Sequence, residues 1–292
     1  MADTTLREQI SGLIRQKAPP RLADAVEQSV RESLLLRTTP MPEEEMPVGR
    51  SRIGGMPDLP PDAEWPTWND QPLAFIAQIH LSDLPPHEFL EVLPSQGVLS
   101  FLYSAQQETW GFAPQDKGSW RVLHLEEQGL QRRTPPPGLP DEGICKSCGL
   151  DYVPSFTLPA SESPHIDLDF SRVPRDEINQ WIELKGAFEQ LVDDGRWLNR
   201  LLGHPDQMQN DMLRTAQLAS HGLYCGRPDP EQAARERELE PGAADWQLLL
   251  QVDSDPNAGM MWGDVGKLYY LMLSEDLRNR NFDAAWMILQ CT

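Results

Sequence analysis

Short apolar runs, each set off by glycine, proline or aspartate, recur along this chain. They lie at 72–81 (PLAFIAQIHL), 97–104 (GVLSFLYS), 120–125 (WRVLHL), 246–252 (WQLLLQV), 266–272 (GKLYYLM) and 286–291 (WMILQC). Each is about ten residues or fewer and sits near breakers, so the pattern predicts buried strands rather than helices. A different period governs three other stretches. Leu6, Ile10, Leu13 and Ile14 fall on one helical face, and the APP at 18–20 ends that helix. Leu22, Val26, Val30 and Leu34 step by four and predict a second helix over 21–36. Ile178, Trp181, Ile182, Leu184, Phe188 and Leu191 predict a third over 176–193. Residues 126–175 and 206–245 read as loop-rich. The expected architecture is α+β and β-rich. A helical hairpin at 1–37 and an extended linker at 38–49 (TTPMPEEEMPVG) precede one domain at 50–292.

The strands come in a repeated order. Gly55-Met56-Pro57-Asp58 recurs as Gly203-His204-Pro205-Asp206, and Ala77-Gln78-Ile79 as Leu250-Gln251-Val252. The strand opening at Gly97 recurs at Gly266, and the one opening at Trp120 recurs at Trp286. The ordered set predicts an internally duplicated domain with half-units at about 51–125 and 199–292. Gly-x-Pro-Asp supplies turn conformations. A glutamine inside an apolar strand either satisfies backbone groups or, facing its repeat partner, lines a crevice between the halves; the first role is the commoner one.

IGGMPDLPPDAEWPTWNDQPLAFIAQIHL, LLGHPDQMQNDM and the final LLLQVDSD…GMMWGDVGKLYYLM…WMILQC resemble the YwqG-like family of bacterial proteins, a family of unknown function. The resemblance spans roughly residues 50–292. It implies a β-rich, roll-like fold with an internal duplication, and no established activity or catalytic residues. Some members lie in genomic neighbourhoods of bacterial toxins, which implies an immunity-like binding role. The front helices and the CKSC at 145–148 lie outside the pattern.

Composition narrows the partners. The formal charge is −20, and residues 1–50 account for only −1 of it. An acidic body repels phosphates, which disfavours nucleic acid and anionic membranes and leaves a basic protein as the complementary partner. The N-terminus shows no apolar leader and no window spans a bilayer, so a cytoplasmic protein is expected. Nine Trp argue for a packed interior.

Candidate chemistry is sparse. Asp253, Asp255, Asn257 and Asp264 occupy positions one, three, five and twelve of a calcium-loop spacing. Ala258 stands where the sharp-turn Gly is due, and the flanks read as strands. A divalent cation in a non-EF turn competes with an Asx-rich turn that bonds its own backbone, and the turn is favoured. Cys145 and Cys148 have zinc-knuckle spacing without a second pair; Cys225, Cys291 and His165 could complete a site only through folding. No Gly-x-Ser-x-Gly and no Gly-rich phosphate loop is present. His204, carried on a turn, is the better placed histidine, and Trp65, Trp68, Gln78, Gln251 and Trp262 are the remaining candidate ligand or partner contacts. Within GMMWGDVGKLYYLM, the second half repeats the strand at Gly97 and reads as core; GMMWGD has no counterpart and is where a site would sit. The expected function is a non-enzymatic protein-binding module, immunity-like against a basic toxin domain and free of cofactor. The alternative is a small-ligand binder or metal-dependent enzyme using the crevice between the half-units.

Overall fold

The structure is a computed structural model that describes residues 2–166, 173–193, 195, 197–227 and 229–292. In chain order it holds helices α1 (Ala2–Lys17) and α2 (Ala23–Ser29), then strands β1 (Arg31–Pro40), β2 (Arg52–Ile53), β3 (Asp58–Leu59), β4 (Thr67–Trp68), β5 (Gln71–His80), β6 (Val98–Ser104), β7 (Trp120–Leu125), β8 (Gln131–Arg132) and β9 (Cys148–Thr157). After α3 (Arg175–Val192) come β10 (Arg200–Leu201), α4 (Met212–Ser220), α5 (Ala233–Leu239), β11 (Trp246–Asp253), β12 (Lys267–Leu273), α6 (Ser274–Arg278) and β13 (Trp286–Gln290).

The six apolar runs are β5, β6, β7, β11, β12 and β13. Every residue of β6 is buried, as are Pro72–Ile79 of β5, so both faces of these strands are covered and the runs lack polar alternation. All pairings are antiparallel; the main sheet runs β13-β12-β11-β10-β1-β9-β2-β5-β6-β7, with β4 attached to β5, and β3 and β8 pair separately. The order is palindromic about the β1–β9 pair: two-residue strands β2 and β10 flank it, and a three-strand meander follows on each side. The sheet curls into a nearly closed barrel whose far ends meet through aromatics. Trp120 and Trp286 stack edge-on at 5.1 Å, as do Phe101 and Tyr270. Trp120 Nε1 donates to Ala285 O at 2.8 Å, and Trp286 Nε1 to Gly111 O at 2.9 Å. The main core fills the barrel; a second core packs α1, α2 and α3 around Phe156 and Leu158.

Three expectations are corrected. The second front helix stops at Ser29, and Arg31–Pro40 is a strand at the centre of the sheet, paired with β9 along all ten residues. Leu34, Leu35 and Leu36 are buried in succession, which a two-faced central strand requires and a one-striped surface helix does not. The front piece is therefore no free-standing hairpin, and the expected linker starts inside β1. Its acidic run forms one 3₁₀ turn at Glu43–Glu45. Residues 126–175 hold β9, and 206–245 hold α4 and α5. In β9 polar and apolar residues mix because its middle, Gly149–Pro154, is only partly buried or exposed, which masked the strand.

Candidate functional site

The two Gly-x-Pro-Asp turns are built by the same bonds. Gln78 Oε1 accepts from Asp58 N at 3.1 Å, and Gln251 Oε1 accepts from Asp206 N at 2.9 Å. Gln78 Nε2 donates to Arg50 O at 2.8 Å; Gln251 Nε2 donates to Leu198 O at 2.6 Å. Each glutamine is fully buried and follows a β-bulge, between Phe75 and Ala77 in β5 and between Leu248 and Leu250 in β11. The bulge turns the polar side chain toward the turn and away from ladder partners. The glutamines therefore satisfy backbone groups of the turns from fully buried positions. Gln78 pairs with Ser100 and Gln251 with Tyr269, positions that the repeat aligns. The tryptophans depart by one place: Trp120 faces Tyr103, whereas Trp286 faces Leu271.

Gly55 and Gly203 hold positive φ of 76° and 78°. A Cβ on Gly55 would meet the Glu43 carboxylate; one on Gly203 would lie 2.9 Å from Thr157 Oγ1. These neighbours expose an asymmetry. In the first turn, Glu43 Oε2 accepts from Met56 N at 3.1 Å. Glu43 Oε1 accepts from Arg52 at 3.1 Å and also from Arg132, which reaches Asp58 Oδ1 at 2.7 Å. Arg52 further bonds Met56 O, Pro47 O and the Asp58 carboxylate. Burial still lowers the Arg52 pKa to about 10, with Asp58 pulling the other way.

In the second turn, Thr157 Oγ1 takes the role of Glu43 Oε2 and accepts from His204 N at 2.9 Å. Among the described residues, none takes the role of Oε1. Arg200, the counterpart of Arg52, is 7% exposed. Its hydrogen bond within the described chain runs from Nη1 to His204 O at 3.2 Å, and its buried Nε has no acceptor. Burial lowers its pKa, opposed mainly by Asp206 and Asp193. Asp206 is itself paired with Lys267. Arg200 and Thr157 line a cavity of about 250 Å³ between this turn and α3.

His204 is 1% exposed, not presented outward by its turn. Its Nε2 meets Ser29 O at 2.7 Å, and its ring lies 5.2 Å from that of His165. Burial and the nearby Arg31 charge depress both imidazoles, His165 to about 4, so both are neutral at pH 7.

The acidic turn does not gather its four oxygen donors. Asp255, fully buried, accepts from Thr38 Oγ1 at 2.7 Å, Asn199 Nδ2 at 2.9 Å and Asn257 N at 2.9 Å. Asp253 accepts from Leu198 N and Ser254 N, and Asn257 donates to Thr38. Asp264 is exposed, and its carbonyl receives Thr292 N and Oγ1. The carboxylates of Asp253 and Asp255 accept from N–H and O–H donors, as in an Asx-rich turn. Among the described residues no group of three or more His, Cys, Asp or Glu is placed to hold a metal ion, Cys145 and Cys148 included. Burial pushes both thiols up to about 11. Trp262 is core, donating to Asp253 O and stacked edge-on with Tyr103. Trp65 and Trp68 are half-buried; Trp65 Nε1 donates to Leu73 O, and Trp68 lies over Gly118.

Sequence reasoning missed Arg200, Arg52, Thr157 and Glu43. The repeat extends upstream as Arg52-Ile53 and Arg200-Leu201, three residues before each turn glycine, and that signal would have found the two arginines. Thr157 and Glu43 come from distant strands and loops with no shared motif.

None of the curated proteins matches the chain. A family profile described as a domain of unknown function, DUF1963, matches residues 51–291. With all but the front helices, β1 and the Glu43 turn inside that match, the chain belongs to the DUF1963 family.

Proposed function

We propose that this protein is a cytoplasmic, non-enzymatic binding module of YwqG type, built from two copies of one unit, that engages a basic protein partner as an immunity protein engages a toxin domain. It works without a bound cofactor and away from nucleic acid and membranes. The distribution of charge carries this reading. Among the described residues the buried ionic groups are Asp58, Asp253 and Asp255 against Arg37, Arg52 and Arg200, so burial removes equal numbers of each sign. The excess of carboxylates behind the −20 charge is left to the surface. Such a surface accelerates encounter with cations and rejects anionic competitors. The matched Gln–turn bonds and the palindromic strand order support the duplicated origin. No helix among the described residues is long and apolar enough to cross a membrane.

The test is capture from extracts of the native host at low and at high salt, followed by stopped-flow association with the captured protein. A basic partner whose association rate falls steeply with ionic strength is expected. A partner that binds equally fast at high salt, or an acidic one, refutes the reading. The small-ligand alternative is favoured by one observation, the cavity beside Arg200, and its location is beneath α3 rather than between the half-units.

A further inference from the structure

We propose that the cavity between the Gly203–Asp206 turn and α3 binds a small zwitterion of the apolar amino-acid class. The inference does not rest on the partner reading. Its first support is the comparison of the two turns. The first arginine, Arg52, bonds Glu43, Asp58 and two carbonyls through its two Nη atoms, while its buried Nε has no acceptor. The second, Arg200, is 7% exposed, shares the orphan Nε and, among the described residues, hydrogen-bonds one carbonyl through Nη1. Thr157 reproduces one Glu43 oxygen and leaves the other unreplaced. Thr157 and Arg200 both line the cavity, so an acceptor bound there would stand in for the missing carboxylate oxygen. A ligand carboxylate supplies it, and a guanidinium is the side chain best shaped to receive one.

The other walls define the rest of the ligand. Asp193 lies on the same cavity, with Oδ1 taken by Gly195 N at 3.0 Å, and Glu189 stands beside it, 3.9 Å from Lys185. A bare anion would face these carboxylates, whereas an ammonium group on the ligand complements them. Phe156 and Phe188, each 3% exposed, form an apolar wall suited to a hydrocarbon side chain. A volume of about 250 Å³ falls below the range of drug-sized sites, which selects a small molecule over a peptide.

The experiment is calorimetric titration of the full chain with millimolar L-leucine, isovalerate and isoamylamine, three probes that share a skeleton and differ in charged groups. Leucine is expected to give saturable heat, and either single-charge analogue to bind roughly tenfold or more weakly, the change from losing one buried charge-assisted contact. Arg200→Lys, which keeps the charge and loses the fork, weakens leucine by a similar roughly tenfold factor. If that variant fails to fold, Val192→Trp serves: Val192 is a partly exposed wall residue, and the indole fills the cavity without removing a bond. Val192→Trp should abolish leucine binding and leave the ligand-free melting temperature in place. Absence of saturable leucine heat, binding of isovalerate as tight as leucine, or leucine binding that survives Val192→Trp each overturns the proposal.

Discussion

Replacing Gln78 by leucine tests the turn-anchoring role of the buried glutamines. The substitution keeps volume and apolar packing but removes every bond the amide makes: acceptance from Asp58 N at 3.1 Å, and donation to Arg50 O and Asp58 Oδ2, both at 2.8 Å. Asp58 N is left without a partner in a fully buried setting, at ~1–3 kcal/mol, Arg50 O loses its partner in a partly buried one at smaller cost, and one bond to a charged oxygen is lost. The apolar gain offsets part of this, so a net loss of ~2–5 kcal/mol is expected, a large share of the ~5–15 kcal/mol that holds a typical domain folded. Gln251→Leu strands the same two kinds of group, Asp206 N and Leu198 O, but breaks no bond to a carboxylate. It should cost less than Gln78→Leu by ~1 kcal/mol. Equilibrium urea unfolding of both variants beside the parent reads the two differences. A loss below ~1 kcal/mol for Gln78→Leu, or a larger loss for Gln251→Leu, would refute the argument that these amides hold the turns.

Three further outcomes are expected. Burial raises the Asp211 pKa to about 6, so the folded state binds more protons than the unfolded chain between roughly pH 4 and 6 and loses stability as pH rises through that window. Asp211→Asn, which preserves an N-cap acceptor for Leu213 N, should gain on the parent by up to ~3 kcal/mol from pH 4 to 7 in urea unfolding, and a pH-independent difference speaks against it. Burial instead depresses His165 to about 4, so its share of stability is present above pH 6.5 and lost as pH falls toward 4. His165→Gln should flatten that acid loss in thermal melts across the same range, and an unchanged slope counts against the role. Asp255→Ala strands Thr38, Asn199 and Asn257 donors and should cost ~2–4 kcal/mol, while millimolar calcium or magnesium leaves the parent melting temperature unmoved. A metal-induced rise that Asp255→Ala abolishes would overturn the Asx-turn reading.

Where the sequence was legible, one signal was enough. Strands β5, β6, β11, β12 and β13 are buried on both faces along most of their length, and each was visible as a short apolar run beside a breaker; β7 is less covered, with Arg121 partly buried and His124 exposed. The turns were visible because Gly, Pro and Asp each have a local conformational reason to be there. Legibility failed where two periods fit the same letters. Val30 and Leu34 continue the helical step of Leu22 and Val26, yet Leu34 to Leu36 serve a strand whose partner lies in β9. It failed again where a site draws on distant segments. Glu43 sat in a stretch read as linker, and its bonds to Met56, Arg52 and Arg132 depend on folding. His204 was expected outside because turns usually are; here β1, β9 and the front helices cover this one.

The central β1–β9 pair has a consequence for how the chain reaches its fold. Pro40 meets Cys148 and Arg31 meets Thr157, so β1 must wait for a partner made more than a hundred residues later. The outer meanders β5–β7 and β11–β13 close through neighbours in sequence and can form as local units. During synthesis the first meander would therefore assemble while three consecutive leucines of β1 remain uncovered. Joining the meanders through β1 and β9 is then the slow, non-local step, and its exposed apolar strand is the segment that chaperones would meet first.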